Sequence, residues 1–589
     1  MITLGINWGD SSTVTLMEDN KILSAYGEER FSRVKNDMSY PKKAIEKCLS
    51  DLGNKKIDNI ALGAKSYSYE SMLTHIYKLS VKDMVWLQNN YYYDLFYKKK
   101  NKSFLDVTKK FWKKDQFPQN YWKKIDKKKI NTFSDDVSTI ISRDLGVSKS
   151  KIHKIDHHTC HANYAYHTSP FQNKKCLVFT MDGYGDGLNA TISIGYKGNL
   201  KRIYQTDKCI VGRIYSHITL LLGMRRLEHE FKLMGLAPYG EKYFNKECYK
   251  VFDEILKLDG YKFIVNKKPK DSYFHFKNKL EGFRFDTIAS SLQLWVESIV
   301  KNWVLNAIKI NKINNVCFSG GVGMNAKAMG RLIENKEVKE LWVPGAGQDD
   351  STCIGASIEV QKKLNNKKSF FVDLKNLYFG NDANLDENTF ATKVVDKKKY
   401  KIIKFSNEKA SKILSSGKIL GRVVDRMEFG PRSLGNRSIL ADPRNLNTKT
   451  KINAKIKNRD FWMPFAPSVL DNCAKNYLKN SSKAISRHMA LTFQTTDKGY
   501  NKMIAGCHDA DKTARAQIVT KKMNKGYHEL ISAFKKITDC GALLNTSFNL
   551  HGFPVVKNLK EAYEVLNKSD LDGLISKNFI FLKKKTKIN

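Results

Sequence analysis

Apolar and polar positions near the start of the chain fall into short runs separated by turn-forming residues. Residues 3–26 read TLGINWGDSSTVTLMEDNKILSAY: an apolar strand, a Gly/Asp turn, a second strand, a polar turn at Asp19-Asn20 and a third strand. The same order returns at residues 176–204, CLVFTMDGYGDGLNATISIGYKGNLKRIY. Residues 315–325, NVCFSGGVGMN, form an apolar strand running into glycines, after which AKAMGRLIE opens a helix. Such a unit brings backbone N–H groups and a helix N-terminus close to an anion or a ribose. The pattern breaks near residues 360–400, where KKLNNKKS and NDANLDEN flank FFVDLKNLYFG, predicting a linker with one strand and a boundary near residue 366.

Two strand–turn units about 170 residues apart are the layout of a duplicated actin-like (ASKHA) α/β fold, each half opening with a hairpin whose acidic turn faces a shared nucleotide cleft. The length of 589 residues predicts two to four domains. With 41% hydrophobic and 27% charged residues, wholesale disorder and fibrous repeats are excluded. No apolar run reaches 18 residues, so no membrane-spanning helix is expected. Met1-Ile2-Thr3-Leu4-Gly5-Ile6 reads as a first strand rather than a signal peptide. Ten cysteines scattered from Cys48 to Cys540 without a CxxC pair point to free thiols and a cytoplasmic location.

Lys plus Arg is 102 against 59 for Asp plus Glu, a net charge of +43. That excess is compatible with an anionic or nucleic-acid substrate, and equally with a Lys- and Asn-rich composition that carries no binding function. From Lys98 to Lys129 thirteen lysines face three aspartates, interleaved with Phe104, Phe111, Trp112, Phe117, Tyr121 and Trp122. The segment 91–129 reads either as a polyanion-binding surface or as an amphipathic helical insertion with solvated lysines, and the second reading is preferred.

Candidate chemistry gathers in two places. In Asp156-His157-His158-Thr159-Cys160-His161 the outer histidines His157 and His161 stand four apart, on one helix face, where they can share a metal. The segment lacks the Glu of HExxH, since His158 stands there, which disfavours protease chemistry. Surface imidazoles at a helix start are the alternative. Asp182 in MDGYGDG and Asp349 in PGAGQDDST follow apolar strands and complete a two-His, two-carboxylate set suited to Fe(II), Mn or Zn. Farther on, RMEFGPRSLGNRSILADPR holds Arg426, Arg432, Arg437 and Arg444 around glycines and prolines, a setting for bidentate phosphate recognition. Lys457, Arg459, Arg515 and Gln517 add to it, and LLNTSFN ends an apolar strand in Asn545, Thr546, Ser547 and Asn549.

At these residues the sequence closely resembles the NodU/CmcH/TobZ-type O-carbamoyltransferases. The resemblance rests on DHHTCHANYAYHTSPF, MDGYGDG, HEFKLMGLAPYG, FSGGVGMN, PGAGQDDSTCIGA, MEFGPRSLGNRSILADPR, KNRDFWMPFAPS, TARAQ and LLNTSFN, in the family's order and from residue 2 to about 575. It implies a TsaD-like actin-type domain over residues 1–365 and a YrdC-like α/β domain over 366–589. The second domain would make carbamoyl-adenylate and pyrophosphate from carbamoyl phosphate and ATP with Mg2+, releasing phosphate. The first would move the carbamoyl group to an acceptor hydroxyl on a glycan, metabolite or nucleotide.

Carried over residue by residue, the resemblance makes His157, His161, Asp182 and Asp349 the ligands of a divalent metal, Fe(II). Gly320, Gly321, Val322 and Asn325 match the nucleotide loop. Lys457, Arg459, Arg515, Ser547 and Asn549, with Arg426, Arg432 and Asn545, fall at the activation site. The family commonly has His-Asp-Ser after its first strand, whereas this chain has Gly9-Asp10-Ser11, so that Asp10, His158 or another residue serves as base, or acceptor handling differs. Val423-Val424-Asp425 before Arg426 is a second departure, since the family usually has a glycine there. Competing readings are a carbamoyl-type transferase acting on tRNA or other nucleic acid, and a non-catalytic polyanion-binding relative. An oligomer is compatible with either.

Overall fold

The computed structural model describes residues 1–67, 79–111, 133–365, 370–372, 374, 376–383, 386–584 and 586. The chain divides into two compact units, the first made of Met1–Ser32 and Asn36–Asp373, the second of Arg33–Lys35 and Leu374–Asn589.

Unit 1 contains two five-stranded mixed sheets of the same design. In the first, β1 (Ile2–Asn7), β2 (Thr13–Glu18) and β3 (Lys21–Gly27) form an antiparallel meander, and β4 (Asn59–Leu62) and β5 (Ile152–Lys154) add parallel strands on the other side of β1, giving the order β3-β2-β1-β4-β5. In the second, β6 (Cys176–Gly185), β7 (Leu188–Tyr196) and β8 (Asn199–Thr206) repeat the meander, and β9 (Asn315–Ser319) and β10 (Glu340–Trp342) lie parallel beyond β6, giving β8-β7-β6-β9-β10. The identical strand order in both sheets is the duplicated actin-like layout that the two hairpin echoes predict. Register follows the burial pattern: Ile2 faces Glu18 and Asn7 faces Thr13, with all six residues of β1 buried.

Helices α1 (His157–His167) and α2 (Thr352–Leu364) pack against one another in the middle of unit 1. Cys160 joins Ala61, Ile155, Ala356 and Val360 in one apolar cluster. The close approach depends on Gly355, where a Cβ would come within 1.9 Å of the Cys160 carbonyl oxygen. Gly355→Ala is therefore expected to lower stability by about 1–3 kcal/mol through overpacking, read from the shift in a chemical denaturation midpoint.

The lysine- and aromatic-rich segment is described up to Phe111; its remainder, with Trp112, Phe117, Tyr121 and Trp122, lies outside the described residues. In the described part the rings divide: Tyr91 and Phe104 are buried and meet edge-on at 5.0 Å, whereas Tyr93, which meets Phe274 at 5.1 Å, is exposed. Lys98 and Lys102 pair with Asp94.

Unit 2 is built on an eight-stranded mixed sheet. Its strands are β11 (Tyr400–Lys404), β12 (Leu420–Val423), β13 (Arg437–Ala441), β14 (Ala466–Leu470), β15 (Gln517–Val519), β16 (Ala542–Ser547), β17 (Gly573–Ile575) and β18 (Phe579–Lys583), in the order β11-β18-β17-β12-β13-β16-β14-β15. Val423, Ile439, Leu544, Phe548, Leu574 and Phe581 form its core. Central β16 pairs antiparallel with both neighbours, which fixes the polar residues at its C-terminal end. All ten cysteines are free and buried. Among the described residues no helix is long and apolar enough to cross a membrane.

Candidate functional site

The first cluster of chemistry-bearing residues lies in unit 1. Helix α1 is capped by Asp156, whose carboxylate accepts from the Thr159 amide at 2.8 Å. One helical turn then brings His157 and His161 together, their Nε2 atoms 3.1 Å apart. Asp182 enters from the irregular end of β6, just past Met181, and Asp349 from the turn leading into α2. Asp182 Oδ2 lies 3.2 Å and Asp349 Oδ1 3.4 Å from His161 Nε2; the corresponding distances to His157 are 3.8 and 3.6 Å. The four donor atoms all lie within 4.8 Å of one another.

Burial acts against charge on both imidazoles, but the carboxylates outweigh it. Asp349 and then Asp182 push His157 up to about 10, and His161 is raised by Asp182 and Asp349. Burial likewise opposes ionisation of Asp182, yet the two histidines hold it well below the usual carboxylate range. Two nitrogen and two oxygen donors converging in a buried site, with little else to neutralise them, fit a borderline divalent metal.

The surroundings pre-position these donors. Asp182 accepts from the amides of Gly183 at 2.6 Å and Gly321 at 2.8 Å. The Gly347 carbonyl accepts from Ser319 Oγ and Gly320 N, both at 2.8 Å, and the Gly345 carbonyl accepts from Tyr164 Oη at 2.6 Å. These bonds hold a loop in which Ala346 adopts a left-handed φ of 58°, a conformation that L-residues with a side chain rarely take. Tyr164→Phe is expected to free the Asp349 loop and weaken metal binding about two- to tenfold, measured by competitive chelation.

Tyr164 and Asp186 are functional neighbours that the sequence reading missed. Asp186 accepts from the amides of His157, Lys65 and Ser66. The signal for Asp186 was its place in the Gly/Asp turn of Asp182; the signal for Tyr164 was its place one turn beyond His161.

Other expected residues of unit 1 fall elsewhere. His158 has no exposed surface; its Nδ1 lies 2.7 Å from Thr180 Oγ1, and burial, then His157 and His161, lower it to about 3. Its buried ring is committed to Thr180 in this structure. Of the expected nucleotide loop, Gly320 and Gly321 serve the metal-type cluster as described, and Val322 is buried. Asn325 caps the helix Ala326–Glu334 and exchanges two 3.0 Å bonds with Gln293. Asp10 stands in the β1–β2 turn, where Asn7 donates to its carbonyl at 3.2 Å. Thr13, at the start of β2, donates to the Asp350 carbonyl at 2.8 Å, so this turn adjoins the segment of Asp349.

The second cluster lies in unit 2. The turn Asn453–Lys457 ends in the left-handed residue Asn458 (φ 43°), which re-aims the chain between Lys457 and Arg459. Lys457 is buried and donates to Ser547 Oγ at 3.1 Å and Asn549 Oδ1 at 2.8 Å; Arg459 donates to Thr546 Oγ1 at 3.1 Å. Burial, then Arg459, holds Lys457 well below the usual lysine range. Burial, then Arg432, lowers Arg459 to about 10, and burial, then Arg432 and Arg459, lowers Arg515 far from its ordinary value. No carboxylate is among the charges that set these three groups. A group of cations that depress one another is a candidate for binding an anion.

The arginine-rich segment divides. Arg437 is wholly buried and gives its donors to backbone carbonyls of Val424, Asp425, Asn381 and Lys557. Arg444 forks onto Asp442. Arg426, expected at the phosphate site, donates to the carbonyls of Gly380 and Phe379. Asn545, also expected there, is buried and donates to Ser433 O, Ser468 Oγ and Gln517 Oε1. Only Arg432 of the four arginines joins Lys457, Arg459 and Arg515.

The chain matches the family described as Carbamoyltransferase N-terminus over residues 3–358 and Carbamoyltransferase C-terminus over residues 411–583. An uncharacterised protein of Methanocaldococcus jannaschii is 31% identical over 99% of this chain and 100% of its own. Nodulation protein NolNO of Sinorhizobium fredii is 28% identical over 97% of this chain and 78% of its own. The 3'-hydroxymethylcephem-O-carbamoyltransferase of Streptomyces clavuligerus is 23% identical over 60% of this chain and 64% of its own. With both halves matched in order, and each half holding its own charged cluster, the chain belongs to the carbamoyltransferase family.

Proposed function

We propose that the protein is an O-carbamoyltransferase working in two steps. In unit 2, read as YrdC-like, water cleaves carbamoyl phosphate to carbamate and inorganic phosphate with release of a proton, and the carbamate oxygen attacks the α-phosphate of Mg2+-bound ATP to form carbamoyl-adenylate and pyrophosphate. In unit 1, read as TsaD-like, an acceptor hydroxyl attacks the carbamoyl carbon, its proton passes to Asp10, and AMP leaves. The observation that carries this reading is the carboxylate-free group Lys457, Arg459 and Arg515, with Arg432.

Carbamoyl phosphate is small and doubly charged. Fixed guanidinium forks and the buried lysine would hold it and stabilise the charge that grows as phosphate departs. Ser547 and Asn549 fix the Lys457 ammonium, so this cation does not reorganise during the step. In unit 1, His157, His161, Asp182 and Asp349 would hold a divalent metal, Fe(II) being the one the family resemblance implies; when bound it would supply Lewis acidity toward a carbonyl or phosphate oxygen. The amides of Gly183 and Gly321 orient Asp182 for that task.

The test is pyrophosphate release by the purified protein with ATP, with and without carbamoyl phosphate, and no acceptor. Release that requires carbamoyl phosphate is the expected result. No release with any divalent metal supplied would sink the two-step reading and favour the polyanion-binding one.

A further inference from the structure

Resting on the transfer reading above, the residues between β8 and the helix Glu230–Gly240 say what kind of acceptor unit 1 takes. The helix Val211–Leu221 starts on the loop that carries Asp182: a Cβ on Gly212 would lie 3.0 Å from Gly183 and 3.2 Å from the Asp182 carbonyl carbon. On the next residue, the Arg213 guanidinium sits 5.7 Å from the ring centroid of Tyr184, a side chain 60% exposed within the same loop. One turn along, His217 Nδ1 meets Ser272 Oγ at 2.7 Å. After the helix the chain reverses at Leu227, whose φ of 65° is unusual for a bulky residue and whose amide donates to Glu230 Oε1 at 2.6 Å.

Two arginines immediately precede this reversal and differ sharply. Arg225 pairs with Glu228 at 2.9 Å. Arg226 makes no hydrogen bond or ion pair among the described residues, and its Nε has no contact with solvent. Tyr92, Glu230, Asp10, Asp271, His217 and Arg213 are among the charged and titratable groups that act on it, yet none of the three carboxylates is within ion-pairing distance. Arg226 is only partly exposed, and leaving its Nε–H unsatisfied out of water is costly. The exposed Arg213 likewise has no carboxylate partner among the described residues. Beside Asp10, a Cβ on Gly9 would meet nothing nearer than Asn7 Oδ1 at 3.6 Å, so the turn leaves room.

We infer that Arg226, with Arg213 at the rim, recognises a negatively charged group on the acceptor, so that the carbamoyl group goes to a hydroxyl of a phosphorylated or carboxylated compound. The anion satisfies the buried Nε–H and holds the hydroxyl near Asp10. A neutral acceptor would leave Arg226 unpaired and forfeit that binding.

Hydrogen exchange of the full-length protein, read by mass spectrometry over residues 211–230, tests this without a known acceptor. The probes are inorganic phosphate and acetate, added separately. With a probe at about ten times its dissociation constant, exchange in this segment is expected to slow about tenfold. The effect should vanish in Arg226→Gln, return in part in Arg226→Lys, and persist in Arg459→Ala, which separates it from anion binding in unit 2. Protection by phosphate alone identifies a phosphorylated acceptor, and protection by acetate alone a carboxylated one. No protection by either, or equal protection in Arg226→Gln, overturns the inference. Because no carbamoyl transfer is needed, failure here is distinct from failure of pyrophosphate release.

Discussion

Arg459→Ala is expected to cut carbamoyl-phosphate-dependent pyrophosphate release by about 10²–10³-fold, the loss that follows removal of one preorganised charge-stabilising donor. Arg459 is held by Thr546 and lies near Arg432 and Arg515, with burial and Arg432 lowering it to about 10. The cost of keeping these cations together is already met in the folded protein, so a departing phosphate gains the full benefit of their charge. Arg459→Lys keeps the charge but loses the planar fork, and should fall between wild type and alanine. Arg444→Gln is the control: its guanidinium is bound to Asp442, and release should change by less than about twofold. The pH profile adds a second signature. Since burial, then Arg459, lowers Lys457, raising pH removes its proton earlier than that of an exposed lysine, and release should decline below the pH at which an exposed lysine titrates. Equal losses in Arg459→Ala and Arg444→Gln would show that the cluster has no special role.

Much of this was readable before any fold was known. The meanders Ile2–Gly27 and Cys176–Thr206 announce themselves because each strand is several residues of one pattern, bounded by Gly/Asp turns. Strands β4 and β5, four and three residues long, do not, since their partners lie far away in sequence and parallel pairing leaves no turn signal. The metal-type cluster was legible because His157 and His161 share a helix face by spacing alone, and Asp182 and Asp349 each follow an apolar strand. The anion cluster was only half legible. Composition groups Arg426, Arg432, Arg437 and Arg444, but it cannot say that Arg437 turns into the sheet, where carbonyls consume it, while Arg432 faces Arg459. Along β16 the same ambiguity separates Asn545, spent on Ser433, Ser468 and Gln517, from Ser547, which meets Lys457. Arg226 is hidden for a related reason: in RRLEHE it looks like one more solvated charge, and only the reversal at Leu227 distinguishes it from Arg225.

The cleanest division of labour should appear in His161→Ala. Removing one of four donors is expected to weaken divalent-metal binding by about 10³-fold or more and to abolish acceptor carbamoylation, while carbamoyl-phosphate-dependent pyrophosphate release continues. His161 is fully buried and 3.2 Å from Asp182, so alanine also leaves the carboxylates facing each other with one fewer compensating group. Metal content by elemental analysis and pyrophosphate release on the same sample separate loss of the site from loss of the fold. The proton balance gives an independent check on the wild type. Asp349 and Asp182 keep His157 protonated up to about pH 10 when no metal is present, so metal must displace that proton to reach Nε2. Metal uptake near pH 7 should therefore release protons, and apparent affinity should rise with pH up to that value. Binding that is independent of pH would place the metal on other ligands. Joint loss of transfer and pyrophosphate release in His161→Ala would mean that the two reactions do not belong to separate clusters.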